Sequence, residues 1–437
     1  MEDPVLPGEG PRPPHPSQAR GGTREGADPA RGGPLDEPDG RVGRAWTWRF
    51  ACIWLGLWAA QLAPVQLLLP LQLEDLDPAH KVRDFGLVNG LAGLAALVAL
   101  PVFGALCDRT RSAIGRRRVW VAGGVAVYAV GLLLTGAATD WRSVAAGWLV
   151  AQLGMYAAMA GLTATIADQV PAGQRGTVSA AVYGPQALGI LLGLVLVTVL
   201  GGGASTGYAG LAVLLVVVAL PWLLRSRDSA PVGRPQSFAA ALRATWEAPT
   251  RHPDYAWAFG GRLLVNLGNA LGTTYLLYFL TDGLRLDDPE GSLLVLTLVY
   301  LVATVSATWG GGVLSDRTGR RRVFVAGAAV LQALACAVLV VAPSWPSALV
   351  AGLLLGAGYG AYTSVDQALV TQVLPDARTV AGDLGVMNVA AVAPQALAPL
   401  MASLVISQLG GYDVLFGLAG AVTVLGALSV ARIRSVR

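Results

Sequence analysis

Charged residues are scarce in this chain: Asp, Glu, Lys and Arg make up 13% of its 437 residues, and hydrophobic residues make up 54%. Soluble domains carry roughly 25% charged residues. This deficit excludes an ordinary soluble protein, because most of the surface must face a solvent other than water. Apolar runs such as Leu293 to Val313 and Val414 to Val430 match the roughly 20 residues that a helix needs to cross a bilayer. The composition therefore predicts an all-α membrane protein.

Cysteine and histidine are also rare. Cys52, Cys107 and Cys336 lie far apart, in or beside apolar segments, which excludes a disulfide framework and a cysteine metal site. The three histidines fall in polar segments, and no nucleophile–base pair appears, so we expect neither an enzyme nor a metal. The segment from Met1 to Arg44 has no apolar stretch, which excludes a signal peptide. The basic residues form no nucleic-acid patch.

Residues 1–47 are rich in proline, glycine and charged residues. Such a segment buries too little apolar surface to offset the entropy of ordering, so we predict a disordered cytoplasmic tail. Twelve apolar spans follow, in an N-terminal bundle over residues 48–224 and a C-terminal bundle over residues 255–437. The predicted spans are 48–71, 85–106, 119–138, 143–166, 178–200, 207–224, 255–280, 290–313, 323–342, 347–371, 384–407 and 412–431.

A polar linker, residues 225–254, separates the two sets of spans. In it, Phe238, Leu242 and Trp246 recur at every fourth residue. This spacing predicts a short amphipathic helix on the cytosolic face, and the alternative is an unstructured tether.

The basic residues are distributed asymmetrically between the loops. With the tail inside, the cytosolic loops and the C-terminus hold nineteen Lys or Arg, whereas the external loops hold four: Lys81, Arg83, Arg142 and Arg285. Cytoplasmic loops of membrane proteins carry the excess of positive charge. We therefore predict a multi-pass protein of the inner membrane with both termini in the cytoplasm.

The two halves of the chain repeat each other. The segment from Gly104 to Thr110 matches that from Gly312 to Thr318, and Gly115 to Gly123 matches Gly319 to Gly327. The segment Pro185 to Leu188 likewise matches Pro394 to Leu397. Two parallel repeats of six spans, with a substrate site between them at the middle of the membrane, are typical of secondary transporters.

These repeated loops resemble the signature of the major facilitator superfamily, G-x-x-x-D-R-x-G-R-R, in both copies. The resemblance covers the chain from about residue 45 onward. It implies twelve transmembrane helices in two pseudo-symmetric six-helix bundles. It also implies that the loop residues form a gating motif, namely Gly104, Asp108, Arg109, Gly115, Arg116, Gly312, Asp316, Arg317, Gly319 and Arg320.

A narrower resemblance is to the glycoside–pentoside–hexuronide symporters and the sucrose carriers. It rests on the long first loop from Asp108 to Arg118, on Trp58 to Gln66 in span one, and on Asp383 to Asn388 with Pro394-Gln395 in span eleven. The pattern departs in span four, where Gln152 and Thr163 stand in place of the buried Asp and the Arg of sucrose carriers. Proton coupling at that position is not expected here.

The loop motif suggests a mechanical latch. Gly104 and Gly312 have no side chains, so that neighbouring helices can approach closely there. Asp108 and Asp316 lie at cytosolic helix ends, where a carboxylate favours the positive N-terminus of a helix from the other half. The resemblance implies that this contact closes the cytosolic side. The alternative is that these charges only anchor the topology.

Polar side chains form a single helical face in each of four spans, one, four, seven and ten, which line the central cavity in the resembling family. The alternative is that these side chains only bond neighbouring helices. The candidate substrate-binding residues are Trp58, Gln61, Gln152, Tyr156, Asn266, Asn269, Tyr359 and Tyr362.

Arg262 in span seven and Asp366 in span ten are charges inside the membrane. Each alone would cost about 2.5–3.5 kcal/mol to insert, so we predict that they approach each other. Asp366 is the candidate for a coupling proton, and the alternative is an ion pair that closes the cytosolic gate.

These observations together predict a secondary active transporter that moves a small polar solute, with a sugar or glycoside favoured, by alternating access with a coupled cation, either a proton or sodium. The partners expected are the solute and the lipid bilayer, and the chain is expected to be a monomer. The alternative function is proton-coupled multidrug efflux, for which Gly184-Pro185 gives only a partial span-five motif. A sensor without transport is a further alternative, and the two intact loop motifs argue against it.

Overall fold

The computed structural model of the protein describes residues 41–112, 114–171, 174–201, 203–226, 252–318, 321–372 and 380–433. Over these ranges the regular structure is helical throughout, with no strand. The prediction of an all-α protein is confirmed. The predicted linker helix around Phe238, Leu242 and Trp246 lies outside the described residues, and so do most of the predicted tail and the loop residues Gly319 and Arg320.

Twelve long helices follow one another along the described chain. We number them α1 (Arg44–Ala63, continued by the π-helical turn Pro64–Leu68 and by Leu69–Leu76), α2 (Lys81–Arg109), α3 (Arg116–Gly136), α4 (Trp141–Gln169), α5 (Arg175–Leu200), α6 (Gly203–Arg225), α7 (Pro253–Thr274, continued by Leu276–Tyr278 and Phe279–Gly283), α8 (Pro289–Thr318), α9 (Arg321–Val341), α10 (Trp345–Gln372), α11 (Val380–Leu404, continued by Val405–Gly410) and α12 (Gly411–Ala431).

By length and composition alone, nine stretches of the described chain are apolar enough to cross a membrane, or ten if the bent α7 is taken as one span. The count falls below twelve for two reasons. The apolar stretch from Val389 to Ala431 joins α11 and α12, although the chain turns between them at Gly410 and Gly411, both at positive φ. In α5, the apolar stretch covers only Gly184–Leu200.

Several helices are longer than the predicted spans. α2, α4 and α8 run for 29, 29 and 30 residues, because they continue past the apolar core into polar ends. α1 begins at Arg44, four residues before the predicted span. Arg225 and Pro253 fall in the predicted linker, but both are helical. Proline suits the first turn of a helix because the N–H that it lacks would have no partner there.

The same helix pairs pack together in both halves. α1 packs against α5 and α6, α4 packs against α2 and α3, and α3 packs against α6. In the second half α7 packs against α11 and α12, α10 packs against α8 and α9, and α9 packs against α12. Each pair has its counterpart six helices later, so the sequence repeat is a repeat of structure.

Successive helices run in opposite directions and thus define two ends of the molecule. We call the end that carries Arg44, Arg116 and Arg225 the motif face, and the end that carries Lys81 and Asp282 the opposite face. The halves meet at the opposite face, where α2 packs against α11. Gly86, Gly90 and Gly93 of α2 lie directly against α11, and a Cβ on any of them would collide with Ser403, Leu400 or Ala396 respectively. Small residues of this kind let two helix backbones approach closely in a membrane.

We expect Gly93→Ala to push α2 and α11 apart, because a Cβ there would collide with the backbone of Ala396. Overpacking a tight contact costs about 1–3 kcal/mol, so the closed opposite face should lose population. Double electron–electron resonance between spin labels at Arg83 and Leu409 should then report a longer and broader distance distribution. Gly123→Ala is the matched control, since a Cβ at Gly123 meets no atom within 4 Å. Equal distributions for the two variants would contradict this account.

Candidate functional site

In the first half, the predicted residues Gln61 of α1 and Gln152 of α4 bond each other. The Oε1 atom of Gln61 accepts a hydrogen bond from Nε2 of Gln152 at 2.7 Å. It also accepts one from the hydroxyl of Tyr128 on α3 at 3.3 Å. Tyr128 is fully buried and was not predicted. It is the single tyrosine of its span, and one tyrosine makes no polar face that a sequence pattern could reveal.

Trp58 lies one turn before Gln61 on α1 and is half-buried. Its indole N–H donates to the backbone carbonyl of Val182 on α5 at 2.9 Å. Its ring stacks on Trp54 with the centroids 5.9 Å apart. The hydrogen bond and the stacking hold the ring in place. A ring held in this way offers an apolar surface without a further loss of rotamer entropy.

In the second half, the structure brings together the two charges that were predicted to pair. The Nη1 atom of Arg262 lies 3.2 Å from Oδ2 of Asp366. The other carboxylate oxygen of Asp366 accepts a hydrogen bond from the hydroxyl of Tyr362 at 2.8 Å. Arg262 and Asp366 are 5% and 8% exposed, so that neither charge has bulk water as an alternative partner. The pair joins α7 to α10.

Two hydrogen bonds between a tyrosine and an asparagine lie on the same helices as this ion pair or next to them. The hydroxyl of Tyr359 on α10 donates to Oδ1 of Asn266 at 3.3 Å, and the hydroxyl of Tyr300 on α8 donates to Oδ1 of Asn269 at 3.3 Å. Tyr300 was not predicted, because it is the lone tyrosine of an apolar span. The predicted stripe on α7 is therefore bonded to two neighbouring helices.

Burial divides the eight predicted binding residues into two groups. Gln152, Asn266, Asn269 and Tyr362 are buried. The half-buried group is Trp58, Gln61, Tyr156 and Tyr359. The buried group packs between helices within its own half in this conformation. The half-buried group has two members on α1 and one each on α4 and α10. That these eight residues bind the substrate stays a prediction.

At the motif face, Asp168 of α4 binds two consecutive arginines of the loop motif. Its Oδ2 atom lies 2.7 Å from Nη2 of Arg116 and 2.8 Å from Nε of Arg117. Gly115, directly before these arginines, has φ +113°, a backbone conformation that L residues with a side chain rarely adopt. Asp168 was not predicted, because it ends a span some fifty residues after the motif and belongs to no repeat.

The other described residues of the predicted gating motif lie near the ends of α2 and α8. A Cβ on Gly104 would meet no atom of the described residues within 4 Å, so that the structure gives no close helix contact at this glycine within its described part. Arg109 is exposed at the end of α2. Asp108 lies in the last turn of α2, and Gly312, Asp316 and Arg317 lie in the last turns of α8, but the structure describes no contacts of their side chains. The latch itself stays a prediction.

The opposite face holds a cluster of cross-half contacts that the sequence analysis missed. The Nζ atom of Lys81 lies 2.7 Å from Glu74 in its own half and 2.8 Å from Asp282 in the other half. The hydroxyl of Tyr278 donates to the carbonyl of Pro70 at 2.9 Å. The hydroxyl of Tyr275 bonds the carbonyl of Val82 at 3.2 Å, directly where α7 bends by 44°.

The twelve helices, the repeated packing and the motif arginines are characteristic of one transporter fold. A family model described as the Major Facilitator Superfamily matches residues 50–307 and, in a second match, residues 259–437. The chain belongs to this superfamily. It is therefore a multi-pass membrane transporter rather than an enzyme.

Solved structures of other superfamily members share this fold. A crystal structure of a point mutant of the nucleoside transporter NupG superposes with a TM-score of 0.70 at 13% identity, covering 89% of this chain and 98% of NupG. A crystal structure of a point mutant of a peptide transporter, POT, superposes with a TM-score of 0.69 at 15% identity, covering 90% and 96%. None of the curated proteins matches the chain in sequence. The superfamily and its fold are established by these comparisons, and the substrate is not.

We expect Asp168→Asn to destabilise the protein, because it leaves Arg117, which is 5% exposed, without its carboxylate. Removing one partner of a buried ion pair costs about 3–5 kcal/mol. Thermal unfolding in detergent should show a clearly lower midpoint for this variant. Asp413→Asn is the matched control, since Asp413 is exposed at the start of α12. A midpoint like that of the control would show that the arginines do not depend on Asp168.

Proposed function

We propose that this superfamily member is a secondary active transporter of a small polar solute, with a sugar or glycoside favoured, and that a cation gradient drives it by alternating access. The observation that carries the proposal is a polar cluster in each half, which we call the two walls. One wall is built on Gln61, and the other on the Arg262–Asp366 ion pair. Each wall contains half-buried aromatic or polar groups that take part in hydrogen bonds between helices.

The walls suit an uncharged polyol. Amide and hydroxyl groups donate and accept hydrogen bonds, as sugar hydroxyls require, and the rings of Trp58, Tyr156 and Tyr359 offer flat apolar faces. The only charges among the predicted wall residues are those of Arg262 and Asp366, and they neutralise each other. A neutral wall favours a neutral solute, because a charged one would enter a low-dielectric site without a counter-charge.

Each wall also contains a buried polar atom without a hydrogen-bond partner among the described residues. These atoms are Oε1 of Gln152 and Nε of Arg262. A buried polar group that lacks a partner costs about 1–3 kcal/mol. Hydroxyl groups of a bound solute would satisfy such atoms after a small movement of the helices, which supports a solute rich in donors and acceptors.

The ion pair is the candidate coupling element. Arg262 lies nine residues into α7 and Asp366 six residues before the end of α10, which places both roughly 9–14 Å from the motif face. Protonation of Asp366 would remove its charge and release Arg262, so that a proton could change the contact between α7 and α10. The alternative role is a gate pair that opens and closes without titrating.

The cross-half contacts at the opposite face support alternating access. On this side, hydrogen bonds and an ion pair join described residues of the two halves at Lys81, Tyr275, Tyr278 and Thr297. We propose that the conformation is the one closed at the opposite face, and that rocking of the halves breaks these contacts. The excess of arginine at the motif face supports a cytoplasmic motif face and cytoplasmic termini in the inner membrane.

Solute uptake tests the proposal. We expect protein reconstituted in proteoliposomes to accumulate at least one member of a panel of labelled sugars and glycosides, and more of it when a proton or sodium gradient is imposed. Gln61→Ala removes the acceptor that organises the first wall, and it should lower kcat/KM for that solute roughly tenfold. Gln408→Ala is the matched control, since Gln408 is exposed at the opposite face. Extrusion of hydrophobic drugs without any sugar uptake would favour the multidrug efflux alternative instead.

The two roles of the ion pair are separable by a charge swap. We expect Asp366→Asn and Arg262→Gln each to impair transport, because each leaves a buried charge unpaired. In the double variant Arg262→Asp with Asp366→Arg, a gate pair should recover part of the activity, whereas a proton site should not. The measurement is the pH dependence of transport in proteoliposomes. If both single variants transport normally with an unchanged pH profile, the pair has neither role.

A further inference from the structure

A small cleft opens at the motif face between the start of α1 and the end of α6, away from the polar walls. Trp46, Arg49, Trp222, Arg225 and Ser226 line it, with about 160 Å³ of space that is partly open to the outside. We call it the α1–α6 cleft.

The polar groups of this lining are dominated by hydrogen-bond donors and positive charge. Two of the five lining residues are arginines, and none is acidic. The Nε atom of Arg49 donates a hydrogen bond to the carbonyl of Ala45 at 2.8 Å. This bond fixes the side chain and leaves the two terminal amino groups of the guanidinium to bind a ligand. Within the described part of the chain, neither Arg49 nor Arg225 forms an ion pair. Two guanidinium groups without a counter-charge indicate a site for an anion.

A second, independent observation points to a ligand. Trp222 is 2% exposed, and its indole N–H is buried without a hydrogen-bond acceptor among the described residues. The hydroxyl of Ser226 is likewise buried and has no partner in the described part of the chain. An indole nitrogen can only donate. An oxyanion in the cleft would supply the acceptors that these groups lack.

The surroundings of the cleft suit a lipid. Arg49 lies about one and a half turns into α1, and Arg225 is the last residue of α6, so that both lie near the membrane surface. Trp48 beside Arg49 is 71% exposed, as expected for an aromatic residue at headgroup level. Leu220 and Leu224 of α6 are 43% and 68% exposed, so that the end of this helix also presents an apolar surface for acyl chains.

We propose that the α1–α6 cleft binds a phosphate ester, and that its source is the headgroup of an anionic phospholipid in the leaflet at the motif face. Arg49 and Arg225 hold the phosphate oxygens, and Trp222 and Ser226 donate hydrogen bonds to them. Basic pockets between transmembrane helices recognise such headgroups. The site is distinct from the transport pathway, so it does not depend on the function proposed above.

Lipid retention by the full chain in detergent tests this site. Native mass spectrometry with added phosphatidylglycerol should show binding that is weaker by about 30-fold or more for Arg49→Gln with Arg225→Gln, because each arginine loses a charge-assisted hydrogen bond to the phosphate. Arg41→Gln with Arg44→Gln is the control of equal charge, since both arginines are exposed and lie outside the lining. This control should change binding by less than about threefold, since it leaves the direct contacts with the phosphate intact.

A gentler variant keeps the test valid if the double arginine variant folds poorly. Ser226→Ala removes only the hydroxyl, and it should weaken phosphatidylglycerol binding roughly tenfold, since a hydrogen bond to a charged group is lost. Equal binding of phosphatidylglycerol to the wild type, the cleft variants and the control would overturn the proposal.

The source of the phosphate is tested separately with inorganic phosphate in lipid-free detergent. We expect it to leave the thermal unfolding of the wild type unchanged, because the acyl chains supply much of the lipid's affinity. If inorganic phosphate raises the midpoint of the wild type but not of Arg49→Gln with Arg225→Gln, the cleft is upheld as a phosphate site and the lipid source is overturned.

Discussion

The close approach of α2 and α11 at the opposite face is the contact on which the arrangement of the two halves depends. Glycines at Gly86, Gly90 and Gly93 remove the side chains that would hold the backbones apart. Around this contact lie the Lys81–Asp282 ion pair and the hydroxyl of Tyr275. Packing in membranes is driven by van der Waals contact and hydrogen bonds rather than by the hydrophobic effect. A strip of glycines with a few polar bonds can therefore both hold and release two bundles.

Charge neutrality within the membrane constrains the rest of the molecule. Arg262 and Asp366 are buried between α7 and α10, and the cost of a lone charge in hydrocarbon requires them to pair. Because the two charges pair, the second wall carries no net charge, and the pair ties α7 to α10. The ion pair lies within the second half, and the contact at the opposite face joins the two halves.

The helices, the repeat and the ion pair could be predicted from the sequence. Exposing long apolar runs to water, or leaving a charge unpaired in the membrane, costs much free energy, and few arrangements avoid both costs. The helix ends could not, since α2 and α8 continue into polar residues beyond the hydrocarbon core. Tyr128 and Tyr300 were missed because a single tyrosine forms no stripe. Lys81 and Asp282 are 201 residues apart, and no local pattern joins them. A polar face on a helix does not by itself tell which of its residues pack between helices, as Gln152 and Asn266 do, and which stay partly exposed, as Tyr156 and Tyr359 do.

The most direct test of alternating access is a reversible lock on the opposite face. In a background without the native cysteines, Lys81→Cys and Asp282→Cys would be joined by a short cleavable thiol cross-linker, since the native side chains meet at 2.8 Å. Solute flux through proteoliposomes would be measured in the same protein before and after cleavage. The account predicts that the joined protein does not transport and that cleavage restores flux. Equal flux in the joined and cleaved states would contradict it.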